Sequence, residues 1–166
     1  MPPTQRRTGG VAFLLAQLGH HAAERFAERI STLDVTPPQA GILRALATEP
    51  GRSQQALAEQ LGLFPSRVVT FIDDLEQRGY LERRRNTNDR RLYALYLTDA
   101  GEQLMGRLAE IGKAHEDDIT AGLTQQQRSQ FRSLLTTLAE RQGLTPGVHP
   151  GYRTLGRGVR PCHESD

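Results

Sequence analysis

Apolar residues recur at helical spacing along most of this chain. Val11, Leu14, Leu15, Leu18, Ala22, Phe26 and Ile30 fall mainly three and four apart and predict a helix over 11–30. The stripe is wide for a surface helix and suits an interface with a partner subunit. Thr36-Pro37-Pro38-Gln39 is a helix start, with a capping hydroxyl, a proline fit for the first turn and a glutamine at the capping-box position. Ala40, Ile42, Leu43 and Leu46 can face a core before Glu49-Pro50-Gly51 breaks the helix. Ser53 caps the next helix, in which Leu57 and Leu61 share a face and Ala58 is small enough for close approach. Gly62 then supplies an abrupt reversal, because glycine tolerates positive φ. Leu63, Val68, Phe71, Ile72 and Leu75 form the apolar face of a following helix, and Ser66, Arg67, Thr70 and Asp74 fall on its other side. This segment ends at Gly79-Tyr80.

Beyond Tyr80 the pattern changes. Leu81 to Arg85 and Leu92 to Leu97 suit strands, the second alternating in part with period two. Between them Asn86-Thr87-Asn88-Asp89 is a run of turn formers. Thr98 opens a long helix whose Leu104, Leu108, Ile111, His115 and Ile119 sustain a mixed face to about Thr120. Gly106 and Gly112 weaken that helix by their propensity, or allow a close crossing. Thr124 to Gln127 is a second capping box, and Phe131, Leu134, Leu135 and Leu138 make the last stripe. The predicted fold is mainly α with a small β-hairpin wing: a winged helix-turn-helix plus a helical dimerisation region. The expected divisions are a flexible lead (1–10), an N-terminal dimerisation helix (11–34), the winged helix-turn-helix (35–98), C-terminal dimerisation helices (99–142) and a Gly/Pro-rich tail (143–166). The terminal helices lack a sufficient core of their own, which predicts a symmetric dimer.

Charge sharpens this picture. Net charge is only +2 in 166 residues, yet the sequence pI is about 9.0. The basicity is local: Arg83 to Arg91 holds five arginines against one acid, Asp89. Such a hairpin repels itself unless it meets an anion, and a phosphate backbone or narrow minor groove is one. Ser66, Arg67 and Thr70 near a helix N-terminus suit phosphates and base edges.

Other chemistry is sparse. His20 and Glu24 stand four apart, but no second cluster with ligand spacing supports a metal. Gly151 to Gly158 lacks the ending of a phosphate loop. One cysteine, Cys162, excludes an intrachain disulfide; thiol sensing there is a minor alternative. No membrane-length apolar run or signal-peptide pattern is present, so the expected location is cytoplasmic. No nucleophile–base–orienter arrangement or cofactor loop marks an enzyme, and no cofactor is expected.

A specific resemblance now enters. Asp89-Arg90-Arg91, five residues, then Leu97-Thr98 matches the DxRxxxxxLT signature of the MarR (multiple antibiotic resistance regulator) family, and LAEQLGL…LEQRGYLER is similar to its reading head. The resemblance spans about residues 11 to 142. It implies that Arg90 at the wing tip enters the minor groove, that Asp89 and Arg91 brace the wing by a salt bridge, and that Ser66, Arg67 and Thr70 face the major groove. Arg83, Arg84 and Arg85 join the DNA-facing set. Departures are Phe64, where many members carry Ser or Asp, and Thr70, where many are basic. Phe64 is a poor N-cap, so Ser66 or a backbone arrangement is expected to cap the helix, and Arg67 to take over base reading. By the same analogy His21 and Arg25 line an effector pocket, which the small Ala40 enlarges. The implied function is a sequence-specific, double-stranded-DNA-binding regulator: a ligand-responsive repressor acting as a homodimer on a pseudo-palindromic operator, with a small aromatic or phenolic effector. The competing reading is a winged-helix protein-interaction module without sequence-specific DNA binding, which would require an acidic partner to match the wing.

Overall fold

The computed structural model describes residues 9–85, 93–149 and Tyr152. It contains helices α1 (Val11–Ser31), α2 (Pro37–Thr48), α3 (Gln54–Leu61) and α4 (Pro65–Gln77), strands β1 (Leu81–Arg85) and β2 (Tyr93–Leu97), then helices α5 (Asp99–Ile119) and α6 (Gln125–Arg141). The strands pair antiparallel, Leu81 opposite Leu97 and Arg85 opposite Tyr93. A third segment adds to the hairpin. Arg52 bridges Leu95: the Gly51 N–H donates to Leu95 O (2.8 Å), and the Leu95 N–H to Arg52 O (2.9 Å). The sequence shows only a chain break there, because a one-residue strand carries no periodicity.

Helix boundaries follow local chemistry. Gln39 Oε1 accepts from the Thr36 N–H (2.9 Å) and hydroxyl (2.8 Å) at the start of α2. Ser53 Oγ accepts from the Ala56 N–H (3.2 Å) at the start of α3. Thr124 and Gln127 form the reciprocal box that opens α6. Gly62 closes α3 at φ 62°, ψ 30°, the left-handed geometry its position requires.

One core serves the winged head. Ile42, Leu43 and Leu46 of α2, Leu57 of α3, Val68, Ile72 and Leu75 of α4, and Leu81 and Leu95 of the hairpin are fully buried. Ile30 of α1 and Leu104 and Leu108 of α5 belong to the same cluster. The first half of α5 is thus committed to the chain's own core, where the sequence suggested only a dimerisation role. Gly106 and Gly112 face open space, so neither serves a close crossing within the chain.

Part of the segment expected as a Gly/Pro-rich tail packs on the head. Tyr152 is 7 % exposed, and its ring lies where a Cβ on Gly41 of α2 would stand, 2.9 Å from that position. Arg44 donates to the Gly147 carbonyl, and Val148 packs on the core. Burial pushes the Tyr152 phenol pKa up. Gly and Pro spacing said nothing of this, because the docking site is a gap on a distant helix.

Candidate nucleic-acid interface

Helix α4 lies across the head with Val68, Ile72 and Leu75 inward, which leaves Ser66, Val69, Thr70 and Asp73 exposed. Phe64 is its N-cap and Pro65 its first residue. No side chain caps the helix; the Phe64 carbonyl instead accepts from the Arg67 (3.0 Å) and Val68 (3.2 Å) N–H groups. Thr70 donates its hydroxyl to Ser66 O at 3.1 Å. The Arg67 guanidinium lies over the Phe71 ring, 5.5 Å from its centroid. Asp74 faces α2: it accepts from Gln39 Nε2 at 2.7 Å and pairs with Arg78. It anchors the helix rather than presenting a charge.

The hairpin base is tied to α4. Arg83 pairs with both Asp73 and Glu76, and its N–H donates to Glu76 Oε1 at 3.1 Å. Burial works against its charge, and the two carboxylates outweigh that, raising its pKa. Arg83 was expected to face DNA, yet its side chain is 20 % exposed and already engaged. Two acids several residues upstream, on another element, are what the run of charges could not reveal. Arg84 pairs with Glu82 and lies over the Tyr96 ring at 4.6 Å. Arg85 is exposed and pairs with no carboxylate among the described residues. The expected wing tip, Asp89, Arg90 and Arg91, lies outside the described residues, as does Cys162.

A second cluster sits where α1 meets α5. Asp118 accepts from Arg29 (2.8 Å) and stands 3.7 Å from Arg25, which also pairs with Glu28. Phe26 and His115 meet with ring centroids 5.5 Å apart, and His115 Nδ1 is buried without a hydrogen bond among the described residues. Burial first, then the Arg29 charge, lowers the His115 pKa from its ordinary value. Arg25 belongs to this cluster through Asp118, and His21 lies one turn earlier on α1. Ala40 is half-buried against the core of the head. In the sequence His115 is one member of a mixed stripe, since nothing local distinguishes a buried imidazole from an exposed one. His20 and Glu24 make a 3.2 Å surface contact. Among the described residues no group of three or more His, Cys, Asp or Glu could hold a metal ion, and no helix is long and apolar enough to cross a membrane.

Known proteins share this arrangement. A family model described as the MarR family matches residues 33–92. A Thauera aromatica protein, whose name assigns it to transcriptional regulation of the hcr operon, is 32 % identical over 141 residues, covering 80 % of this chain and 85 % of that protein. The transcriptional repressor CouR, solved bound to a 23-mer DNA duplex, is 32 % identical with a TM-score of 0.69, over 78 % of this chain and 92 % of its own. The Mycobacterium tuberculosis MarR family protein Rv2887 is 27 % identical. Its DNA complex superposes with a TM-score of 0.69 over 79 % of this chain and 98 % of that one. Its salicylic acid complex superposes with a TM-score of 0.64, over 79 % and 97 %.

Proposed function

The chain belongs to the MarR family of transcriptional regulators, and from that premise we propose that it is a homodimeric repressor, released from a pseudo-palindromic operator by a small aromatic or phenolic acid. It is a regulator, not an enzyme. The observation that carries the dimer is the contrast between a sealed head and uncovered terminal helices. Val11, Phe13 and Leu18 of α1 and Leu134 and Leu138 of α6 stay exposed. A second copy related by two-fold symmetry covers such a face and sets two α4 helices about one helical turn apart.

In this reading Ser66, Arg67 and Thr70 lie at the major groove, Arg84 and Arg85 reach phosphates, and Arg90 enters the minor groove with Asp89 and Arg91 bracing it. Arg83 then acts through α4, holding the wing at a set angle. The effector carboxylate approaches Arg25 and His21, its ring beside Phe26 and His115, in space that the small Ala40 extends. Rv2887 binding salicylic acid supports this chemistry. An acid bound there shifts the distance between heads only by its differential affinity for the two spacings.

Fluorescence anisotropy tests the proposal, on duplexes tiled across the DNA upstream of the gene, at two salt concentrations and with salicylate added. Tight binding to one palindromic tile, weakened steeply by salt and by salicylate, is the expected result. Salt-insensitive binding, or none at low salt, would reject the repressor.

A further inference from the structure

Phe64 is the residue that the fold does not explain. It is 62 % exposed, so it contributes little to the core. As an N-cap it offers no hydrogen bond, in a position where Ser, Thr, Asp and Asn are strongly preferred. Yet it stands at the leading end of the helix that faces DNA in the function proposed above, on which this inference rests. Phe64, Pro65 and Val69 form the apolar wall of a groove of about 760 Å³, whose α3 wall is mostly polar, with Gln54, Gln55 and Glu59. Val69, also exposed at 40 %, lines the same groove. Alongside lies Ser66, whose hydroxyl makes no hydrogen bond among the described residues.

At its leading end α4 therefore presents Phe64 and Val69 beside the Ser66 hydroxyl, the Thr70 hydroxyl being spent on Ser66 O and the Arg67 guanidinium lying over Phe71. Of the four bases, thymine is the one whose major-groove edge pairs an apolar group, the C5-methyl, with a single acceptor, O4. The geometry points to Phe64, supported by Val69, as a specificity-determining residue that packs on a thymine methyl in each half-site. Ser66 is placed to donate to the adjoining O4. The residue that makes a poor cap is thus the one that reads the base.

The test uses the full chain and the tile it binds from its upstream DNA, with each thymine replaced in turn by deoxyuridine, which removes the methyl and nothing else. One thymine per half-site should respond, each replacement weakening wild-type binding about three- to five-fold, as expected for one buried methyl. In Phe64→Ala that response should vanish while the salt slope stays unchanged. Phe64→Ser, which restores a capping hydroxyl, should raise Tm by about 2–4 °C and still lose the response, separating base reading from helix stability. A uracil penalty of equal size in wild type and Phe64→Ala, or a flat scan in the wild type, would overturn the assignment while leaving the DNA-binding reading intact. A wild-type chain that binds no tile at all would overturn both.

Discussion

Gly101 lies in the first turn of α5, where a Cβ would stand 1.9 Å from the Tyr80 carbonyl oxygen. That oxygen accepts from the Thr98 N–H at 3.2 Å, and the Thr98 hydroxyl donates to Gly79 O at 2.6 Å. The end of β2 and the start of α5 are therefore clamped to the turn before β1, and backbone cannot yield as a side chain would. Gly101→Ala should destabilise the protein by about 3 kcal/mol, measured by urea unfolding; a change within 0.5 kcal/mol, roughly the range of ordinary surface substitutions, would show that the clamp gives way. The two critical glycines were unequally legible. Gly62 was expected to adopt positive φ from its place between two apolar-patterned helices. Gly101 gave no such signal, because its requirement comes from a carbonyl on another element.

At the scale of elements, two joints decide how the head is held. Arg83 on β1 is gripped by Asp73 and Glu76 of α4, which ties the hairpin to that helix. Local repulsion within the arginine run suggested a set of equivalent DNA contacts; tertiary pairing makes Arg83 a brace and leaves Arg84 and Arg85 exposed. The other joint is α1 against α5, through Phe26 and His115. Since folding lowers the His115 pKa, the unfolded chain takes up its proton first as the pH falls below about 6.5. Stability is therefore full above that value, declines through the window down to the folded pKa, and levels off beneath it. Tm should drop on mild acidification, and His115→Gln should flatten the drop. An equal decline in both proteins would assign the effect to other groups.

For the whole molecule the deciding quantity is uncovered apolar surface. Leu134 of α6 is 64 % exposed and Val11 of α1 is 72 % exposed, whereas the core of the head is sealed. In the proposed dimer Leu134→Glu buries an unpaired carboxylate in the interface. Light scattering should show the mass fall from twice 18.5 kDa to 18.5 kDa, with helical circular dichroism retained and operator affinity reduced by at least about ten-fold as one head is lost. A variant that stays dimeric would place the interface elsewhere.

What the chain determined by itself was everything carried by short-range pattern: the helices with their capping residues, the strands of the hairpin, the Gly62 reversal, and through the DxRxxxxxLT spacing the family. These follow from backbone geometry and from neighbours three or four residues apart, which a sequence displays directly. Tertiary structure alone decided which arginine is a brace, that α5 lends Leu104 and Leu108 to the head, that Tyr152 fills the space above Gly41, and that His115 lies buried beside Phe26. Each of these depends on which distant side chain occupies a given volume or neutralises a given charge, and that is set only when the elements pack.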